Sequence, residues 1–342
     1  MADGDTFKVL MLGGRRCGKT SMLAMIIQEF NKNNYGNLNL FPSLEKGDPF
    51  GKKIAEMRKL IAKDKFEEED GGTIGIDEFG MSISLKKYAK SKLDITFTDI
   101  PGEWMKGGIG IEDQMKKLLK ANAFLVAIDT PFLMEEYGAY DEDRNFCFAV
   151  CTRLQSLGET ENQGKRLVLF VPLKCEKYLH EGRMGEVNDK IKEAYKAAFT
   201  FFEGQDKYEV AIAPVVTMGV FEFLDFKRDE NGEVVTTVAV DRKTGQKIKR
   251  QQGIYKKIAH KSVPFNPHYC EQPIYYLLAY LLTMAADSTK TKTGGGIFAW
   301  LANIFFKIPM AENWLKEKKE ILKQLKTRGD GYEIIHDPLH FK

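Results

Sequence analysis

The chain has 342 residues, 43% of them apolar, enough to fill one large α/β domain with additions, or two domains, without help from disulfides. Fifty-one basic residues against forty-eight acidic ones leave a formal charge of +3, too weak a field to argue for general nucleic-acid binding. The five cysteines (Cys17, Cys147, Cys151, Cys175 and Cys270) lack CxxC spacing, no apolar run reaches about eighteen residues, and the short acidic opening Met1-Ala2-Asp3-Gly4-Asp5 does not read as a signal peptide. A cytoplasmic protein with no transmembrane span is expected.

In chain order, the apolar run Phe7 to Leu12 reads as a strand, and Lys19 to Phe30 carries Met22, Leu23, Ile26 and Ile27 at helical spacing. Phe41 to Asp70 reads as an insertion, with the charged helical pattern Lys52 to Lys63 and the acidic run Glu67-Glu68-Glu69-Asp70. Strands are predicted over Met81 to Leu85 and Leu93 to Thr98; the connection Lys86 to Lys92 is too short for a helical crossover, so this pair is antiparallel. Further strands are predicted at Ala123 to Ile128, Arg166 to Val171 and Glu209 to Val216. Helices are predicted between and after them at Glu112 to Ala121, Asp143 to Leu157, Glu186 to Phe202 and Ile274 to Ala286.

That alternation specifies a mostly parallel six-stranded α/β sheet with one antiparallel strand and helices on both faces. Phe226 to Lys261 has turn signals at Asp229-Glu230-Asn231-Gly232 and Arg242-Lys243-Thr244-Gly245 between alternating Val and Thr, and reads as a β-hairpin insertion. Ser288 to Gly296 reads as a linker to a hydrophobic helix, Ile297 to Ile308, and a charged helix, Ala311 to Lys326. The expected division is therefore residues 1–287 and a C-terminal helical appendage, 288–342.

Gly13-Gly14-Arg15-Arg16-Cys17-Gly18-Lys19-Thr20 follows the first strand and opens the first helix, with Ser21 behind Thr20. In that context the glycines let backbone N–H groups converge on phosphates, the helix N-terminus adds partial positive charge, and Lys19 a full one. Thr20 places its hydroxyl on Mg²⁺. At the end of the third strand, Asp99-Ile100-Pro101-Gly102-Glu103-Trp104 supplies a carboxylate for the Mg²⁺ shell and a glycine N–H for a γ-phosphate.

The two motifs together resemble those of the translation-factor-related (TRAFAC) class of P-loop GTPases. The wording Asp-Ile-Pro-Gly-Glu-Trp, with Phe265-Asn266-Pro267 and Glu271-Gln272-Pro273 before the last core helix, is similar to the bacterial double-GTPase families, over roughly Phe7 to Ala286. The resemblance implies a Ras-like fold that binds and hydrolyses GTP with Mg²⁺ as a switch. It also implies families found in bacterial conflict or defence systems, and a homodimer or a second GTPase as partner.

The base-recognition box departs from the family pattern. Leu173-Lys174-Cys175-Glu176 stands where Asn or Thr, Lys, any residue and Asp are expected. Glu176 keeps a carboxylate for guanine N1 and N2, while Leu173 cannot make the usual polar brace to the phosphate loop. Thr217-Met218-Gly219 occupies the place of the loop behind the base. Thr73, in Gly71-Gly72-Thr73-Ile74-Gly75, is the candidate switch threonine for Mg²⁺ and γ-phosphate, the alternative being a plain turn threonine.

For hydrolysis, Glu103 stands where many GTPases place a water-orienting glutamine, and serves either that role or a salt bridge. Arg16, two residues before Gly18, matches the position at which guanylate-binding proteins carry an internal arginine finger. Arg15 is its possible substitute, and pairing with the acidic run Glu67 to Asp70 its structural alternative. A nucleotide-sensing pseudo-GTPase and an ATPase or kinase stay open beside the GTPase reading. Cys147 and Cys151 read as core, the five histidines show no metal spacing, and Ile297 to Ile308 reads as a core helix in preference to a membrane contact.

Overall fold

Alternation along the first strand sets the architecture. Phe7, Val9 and Met11 of β1 (Phe7–Leu12) join one hydrophobic core and Leu10 and Leu12 another, so a single strand is buried on both sides. The structure, a computed structural model, describes residues 7–32, 38–43, 48–68, 75–85, 92–108, 110–159, 164–240, 247–258, 266–291, 310–325 and 330–340.

After β1 come α1 (Lys19–Lys32), β2 (Leu38–Pro42), α2 (Pro49–Leu60), β3 (Lys65–Glu67), β4 (Asp77–Leu85) and β5 (Lys92–Asp99). Next are α3 (Glu112–Leu118), β6 (Ala123–Asp129), α4 (Thr130–Met134), α5 (Asp141–Arg144), α6 (Cys147–Gln155) and β7 (Arg166–Leu173). The chain continues through α7 (Glu176–His180), α8 (Met184–Ala194), α9 (Lys196–Glu203), β8 (Tyr208–Ile212), β9 (Phe221–Phe226), β10 (Thr237–Val240), β11 (Lys247–Arg250) and β12 (Gly253–Lys257). It ends in α10 (Gln272–Thr291), α11 (Met310–Gln324) and β13 (Glu333–His336).

The main sheet has the order β13-β8-β7-β6-β1-β5-β4-β2. β1 pairs in parallel with β5 and β6, and β7 continues the parallel set between β6 and β8. β4 runs antiparallel to β5, as their short connection requires. The core is thus the Ras-like arrangement read from the sequence, widened from six strands to eight. β2 adds to β4 at one edge and β13 to β8 at the other. Both additions are short, and LNLFP ends in proline, which weakens the alternation signal. The C-terminal segment, expected to be purely helical, therefore returns a strand to the main sheet.

Side chains of α1, α2, α10 and α11 lie in the core with Phe7, Val9 and Met11; those of α3, α6, α8 and α9 lie in the other. Two helices expected to be continuous are broken. The pattern over Asp143 to Leu157 splits into α5 and α6, with Phe146 in the left-handed region at φ +53°. Asn145 explains the break: its side-chain Oδ1 accepts the Asp129 N–H at 2.8 Å, and its Nδ2 donates to the Asp129 carbonyl at 3.2 Å and to the Asp141 carboxylate at 2.6 Å. These bonds pin the turn to the tip of β6 in place of helix continuation. The pattern over Glu186 to Phe202 breaks at Tyr195, and α10 runs on to Thr291, through the expected start of the linker.

The hairpin insertion begins five residues before the expected Phe226, carries four strands, and is not alone. β10 and β11 form its outer hairpin, while β9 and β12 form its base, which begins at Phe221. β12 also accepts β3 from the first insertion, giving a second sheet of order β3-β12-β9. Phe66 stacks on Tyr255 at 5.2 Å and meets Phe221 edge-on at 4.9 Å, so aromatic packing seals the two insertions into one layer.

Candidate functional site

The loop between β1 and α1 is shaped by what it touches. A Cβ on Gly14 would lie 1.5 Å from the carbonyl oxygen of Arg144, so only glycine admits α5 this close. Lys19, at the start of α1, is buried and donates to the carbonyls of Gly13 and Gly14 at 3.0 Å each, with Asp99 3.5 Å away. Burial works against its charge, but Asp99, Cys17 and Glu103 together outweigh burial and hold the Lys19 pKa above the ordinary lysine value. Thr20 donates its hydroxyl to Asp99 at 3.2 Å. These are two hard oxygen donors side by side at the tip of a buried strand, the chemistry that suits Mg²⁺. Cys17 turns inward, its thiol donating to the Gly14 carbonyl, and burial raises its pKa. Ser21 is half-buried in the first turn of α1.

Gly102 brings the second motif onto the first. A Cβ there would lie 2.4 Å from the Arg15 backbone nitrogen, so this glycine is packed directly against the loop. Beside it, Glu103 is 2% exposed and lies 3.6 Å from the Arg15 guanidinium. Neither Glu103 oxygen has a hydrogen-bond partner among the described residues. Of the two outcomes open for Glu103, the geometry displays the ion pair. Arg16 adopts φ +67°, and its carbonyl accepts a hydrogen bond from Lys174 at 3.0 Å.

Leu173-Lys174-Cys175-Glu176, the candidate base box, spans the end of β7 and the start of α7. Leu173 is buried, with its Cδ1 3.5 Å from where a Cβ of Gly18 would stand, so an apolar side chain lies beside the loop where the family pattern has a polar one. Glu176 opens α7, is buried, and faces the loop Thr217-Met218-Gly219, accepting the Gly219 N–H at 3.4 Å. Burial pushes its carboxyl up to about 6, against the pull of the Met218 and Gly219 amides and Lys174. Asn266, from the Asn-Pro pair noted in the sequence, closes that loop by donating its N–H to the Met218 carbonyl at 3.0 Å. Thr217 itself is half-buried at the edge of the loop.

Sequence reasoning missed a buried cluster behind the phosphate loop. Glu68 and Asp129 face Arg144 and Lys174: Arg144 lies 2.5 Å from Glu68 and 3.6 Å from Asp129, and Lys174 bonds Glu68 and lies 2.7 Å from Asp129. Asp129 ends an apolar strand just as Asp99 does, a signal that was available. Glu68 was hidden in an acidic run that reads as solvated, and Arg144 in the mixed-charge stretch Asp-Glu-Asp-Arg. Thr73 and the segment Ile297 to Ile308 lie outside the described residues.

Among the described residues no helix is long and apolar enough to cross a membrane, and no group of three or more His, Cys, Asp or Glu is placed to hold a metal. Cys147 and Cys151 are buried, as expected of core residues.

The profile of the family described as Double-GTPase 2 matches residues 9–217, a span that contains the phosphate loop, Asp99, Gly102, the base box and Thr217. Among curated proteins no sequence matches. Among solved structures, the GTPase-like domain of Ski7 from S. cerevisiae bound to GTP is similar with a TM-score of 0.39 and 9% identity, over 77% of this chain and 73% of that one. The same domain bound to GDP and inorganic phosphate gives a TM-score of 0.38 and 10% identity, over 76% and 72%.

Proposed function

The chain belongs to the Double-GTPase 2 family, and on that premise we propose that it binds GTP with Mg²⁺, hydrolyses it to GDP and phosphate, and uses the cycle as a switch. The observation that carries this reading is the packing of Gly102 against Gly14 and Arg15, beside the Lys19, Thr20 and Asp99 cluster. It brings the backbone N–H of the second motif and the phosphate-binding lysine to one place, the geometry a γ-phosphate needs.

The backbone of Gly13 to Thr20, with Ser21 behind it, would cradle the phosphates, with Lys19 moving from the Gly13 and Gly14 carbonyls to phosphate oxygens. Thr20 and Asp99, together with Thr73, would hold a Mg²⁺ ion, which would supply positive charge to the bound phosphates. Glu176, braced by the loop at Thr217, would accept hydrogen bonds from guanine, and Lys174 would back the ring with its stem.

Arg16 is the cis arginine finger in this reading. Arg15 is engaged by Glu103, and Glu103 acts at the site through that pairing, holding a guanidinium beside Gly102. The partner is a second GTPase, in a homodimer or another chain, within a bacterial conflict or defence system in the cytoplasm; five free, buried cysteines support a reducing compartment. The nucleotide domain spans 1–287 and takes β13 from the segment 288–342.

Calorimetry with GTP, GDP and ATP, followed by GTP turnover with and without Mg²⁺, tests the reading. Tight guanine nucleotide binding with Mg²⁺-dependent phosphate release is expected. A preference for ATP overturns the GTPase assignment, and tight GTP binding without turnover leaves a nucleotide-sensing module in its place.

A further inference from the structure

The buried cluster behind the phosphate loop has a topology that its pairings alone do not convey. Each cation makes a bond to one loop carbonyl: Arg144 donates to the carbonyl of Arg15 at 3.4 Å and Lys174 to that of Arg16 at 3.0 Å. Glu68 spans the two cations with separate oxygens, Oε2 to Arg144 and Oε1 to Lys174. Asp129 meets the same pair from the tip of β6, and with it all three Lys174 donors are taken.

Glu68 is in turn gripped by the second insertion. Tyr255 donates its hydroxyl to Oε1 at 3.2 Å and the Gly253 N–H reaches Oε2 at 3.4 Å, while Arg144 donates to the Gln251 carbonyl at 3.2 Å. The Arg144 guanidinium also lies 3.8 Å over the Phe132 ring. Burial works against ionisation of Glu68, but Arg144 and Lys174 outweigh it and pull its carboxyl down to about 2. The carboxylate is therefore a fixed charge at neutral pH.

We propose that Glu68 is a positioning residue for the phosphate loop: through Arg144 and Lys174 it fixes the peptide carbonyls of Arg15 and Arg16, and so sets where the two loop guanidinium groups stand. Arg16 is at a positive φ, a backbone state that L side chains rarely adopt and that surrounding contacts must hold. Glu68 supplies that hold from outside the matched loop motifs, five residues before Thr73. Its charge is needed because a neutral replacement would leave the buried Arg144 and the part-buried Lys174 sharing Asp129 alone.

The catalytic half of this inference rests on the GTP-hydrolysis reading; the positional half does not. Hydrogen exchange on the full, nucleotide-free chain tests position. Glu68→Gln is expected to speed amide exchange across Arg15 to Gly18 by about tenfold, with β1 and β6 unchanged. Tyr255→Phe, a milder change that removes one grip on Glu68, is expected to give a smaller rise in the same peptides. Unchanged loop exchange in both variants, or equal loosening of loop and core strands, overturns the proposal.

Turnover tests the consequence. Glu68→Gln is expected to lower kcat by about tenfold while KM for GTP moves less, because the loop guanidinium groups are misplaced by a fraction of an ångström. It is expected to lower kcat no further in an Arg16→Ala background. An equal loss in both backgrounds overturns the link to Arg16. Absence of turnover in the unmodified chain overturns the hydrolysis reading and leaves the exchange result to decide the role of Glu68.

Discussion

The Arg15 guanidinium lies 3.6 Å from the Glu103 carboxylate, a pair that ties the phosphate loop to the segment carrying Gly102. Removing Arg15 takes this cation away from the buried Glu103 carboxylate. Breaking a fully buried pair costs roughly 3–5 kcal/mol; Arg15 keeps 19% of its side chain exposed, so Arg15→Ala is expected to destabilise the chain by about 2 kcal/mol. Most of that loss returns in Arg15→Ala/Glu103→Gln, because no buried charge is left alone. Chemical denaturation of the two singles and the double gives the coupling directly. Additive losses would show that the two side chains do not act as a pair.

Arg16 and Arg15 are separable by rate. As the finger, Arg16 loses about 10³-fold in kcat on change to Ala, and Lys restores little because it lacks the planar fork. Arg15→Ala, corrected for the folded fraction, keeps within about tenfold of the native rate on the same reasoning. Single-turnover GTP hydrolysis at saturating enzyme reads both. Unchanged turnover in Arg16→Ala would remove it from the chemistry.

With Glu176 as the proposed acceptor for guanine, binding of the nucleotide is expected to carry a pH signature. Its carboxyl stands at about 6 in the folded chain, above the ordinary 4.5, so the ionised acceptor that guanine N1 and N2 require is present above pH 6 and lost below it. Affinity for GDP is expected to fall by about tenfold per pH unit below that point. Glu176→Gln cannot titrate, so a parallel series with it subtracts ionisation of the nucleotide's own phosphates. Coincident pH profiles for the two proteins would place the titration elsewhere.

Glu68 has the opposite sign. Its folded pKa of about 2 lies below the ordinary 4.5, so its contribution to stability is complete above pH 4.5 and declines as the pH falls toward 2. The displacement corresponds to about 3 kcal/mol at pH 7, shrinking to less than half of that by pH 3. Denaturation of the native chain and Glu68→Gln across that range is expected to show the gap closing. A gap independent of pH would mean that Glu68 contributes by shape and not by charge.

The central sheet was legible because its strands are long apolar runs, and the phosphate site because its chemistry is local: Gly13 to Thr20 are contiguous, and Asp99 stands at a strand tip. The edge strands β2 and β13 were not legible, because five or four residues carry too little alternation. The break between α5 and α6 was hidden because Asn145 makes its bonds to Asp129, outside any local window. The same limit concealed Glu68. Its partners lie 76 to 187 positions away, and no local pattern distinguishes a carboxylate held by Arg144, Lys174 and Tyr255 from one facing water.

The pairing of β3 with β12 makes the two insertions hereditary companions. Ile254 faces Glu67 and Tyr255 faces Phe66 across nearly two hundred residues, so excising the stretch 221–257 would leave β3 an uncovered edge and Phe66 without its aromatic neighbours. Trimming the chain to a minimal domain, or grafting one insertion onto a simpler relative, thus requires moving both. The same long closure delays this layer in folding: the central strands can assemble from nearer contacts, whereas the wall behind the phosphate loop must wait for distant segments to meet. A nascent chain would complete its nucleotide site only after nearly three-quarters of its length had emerged.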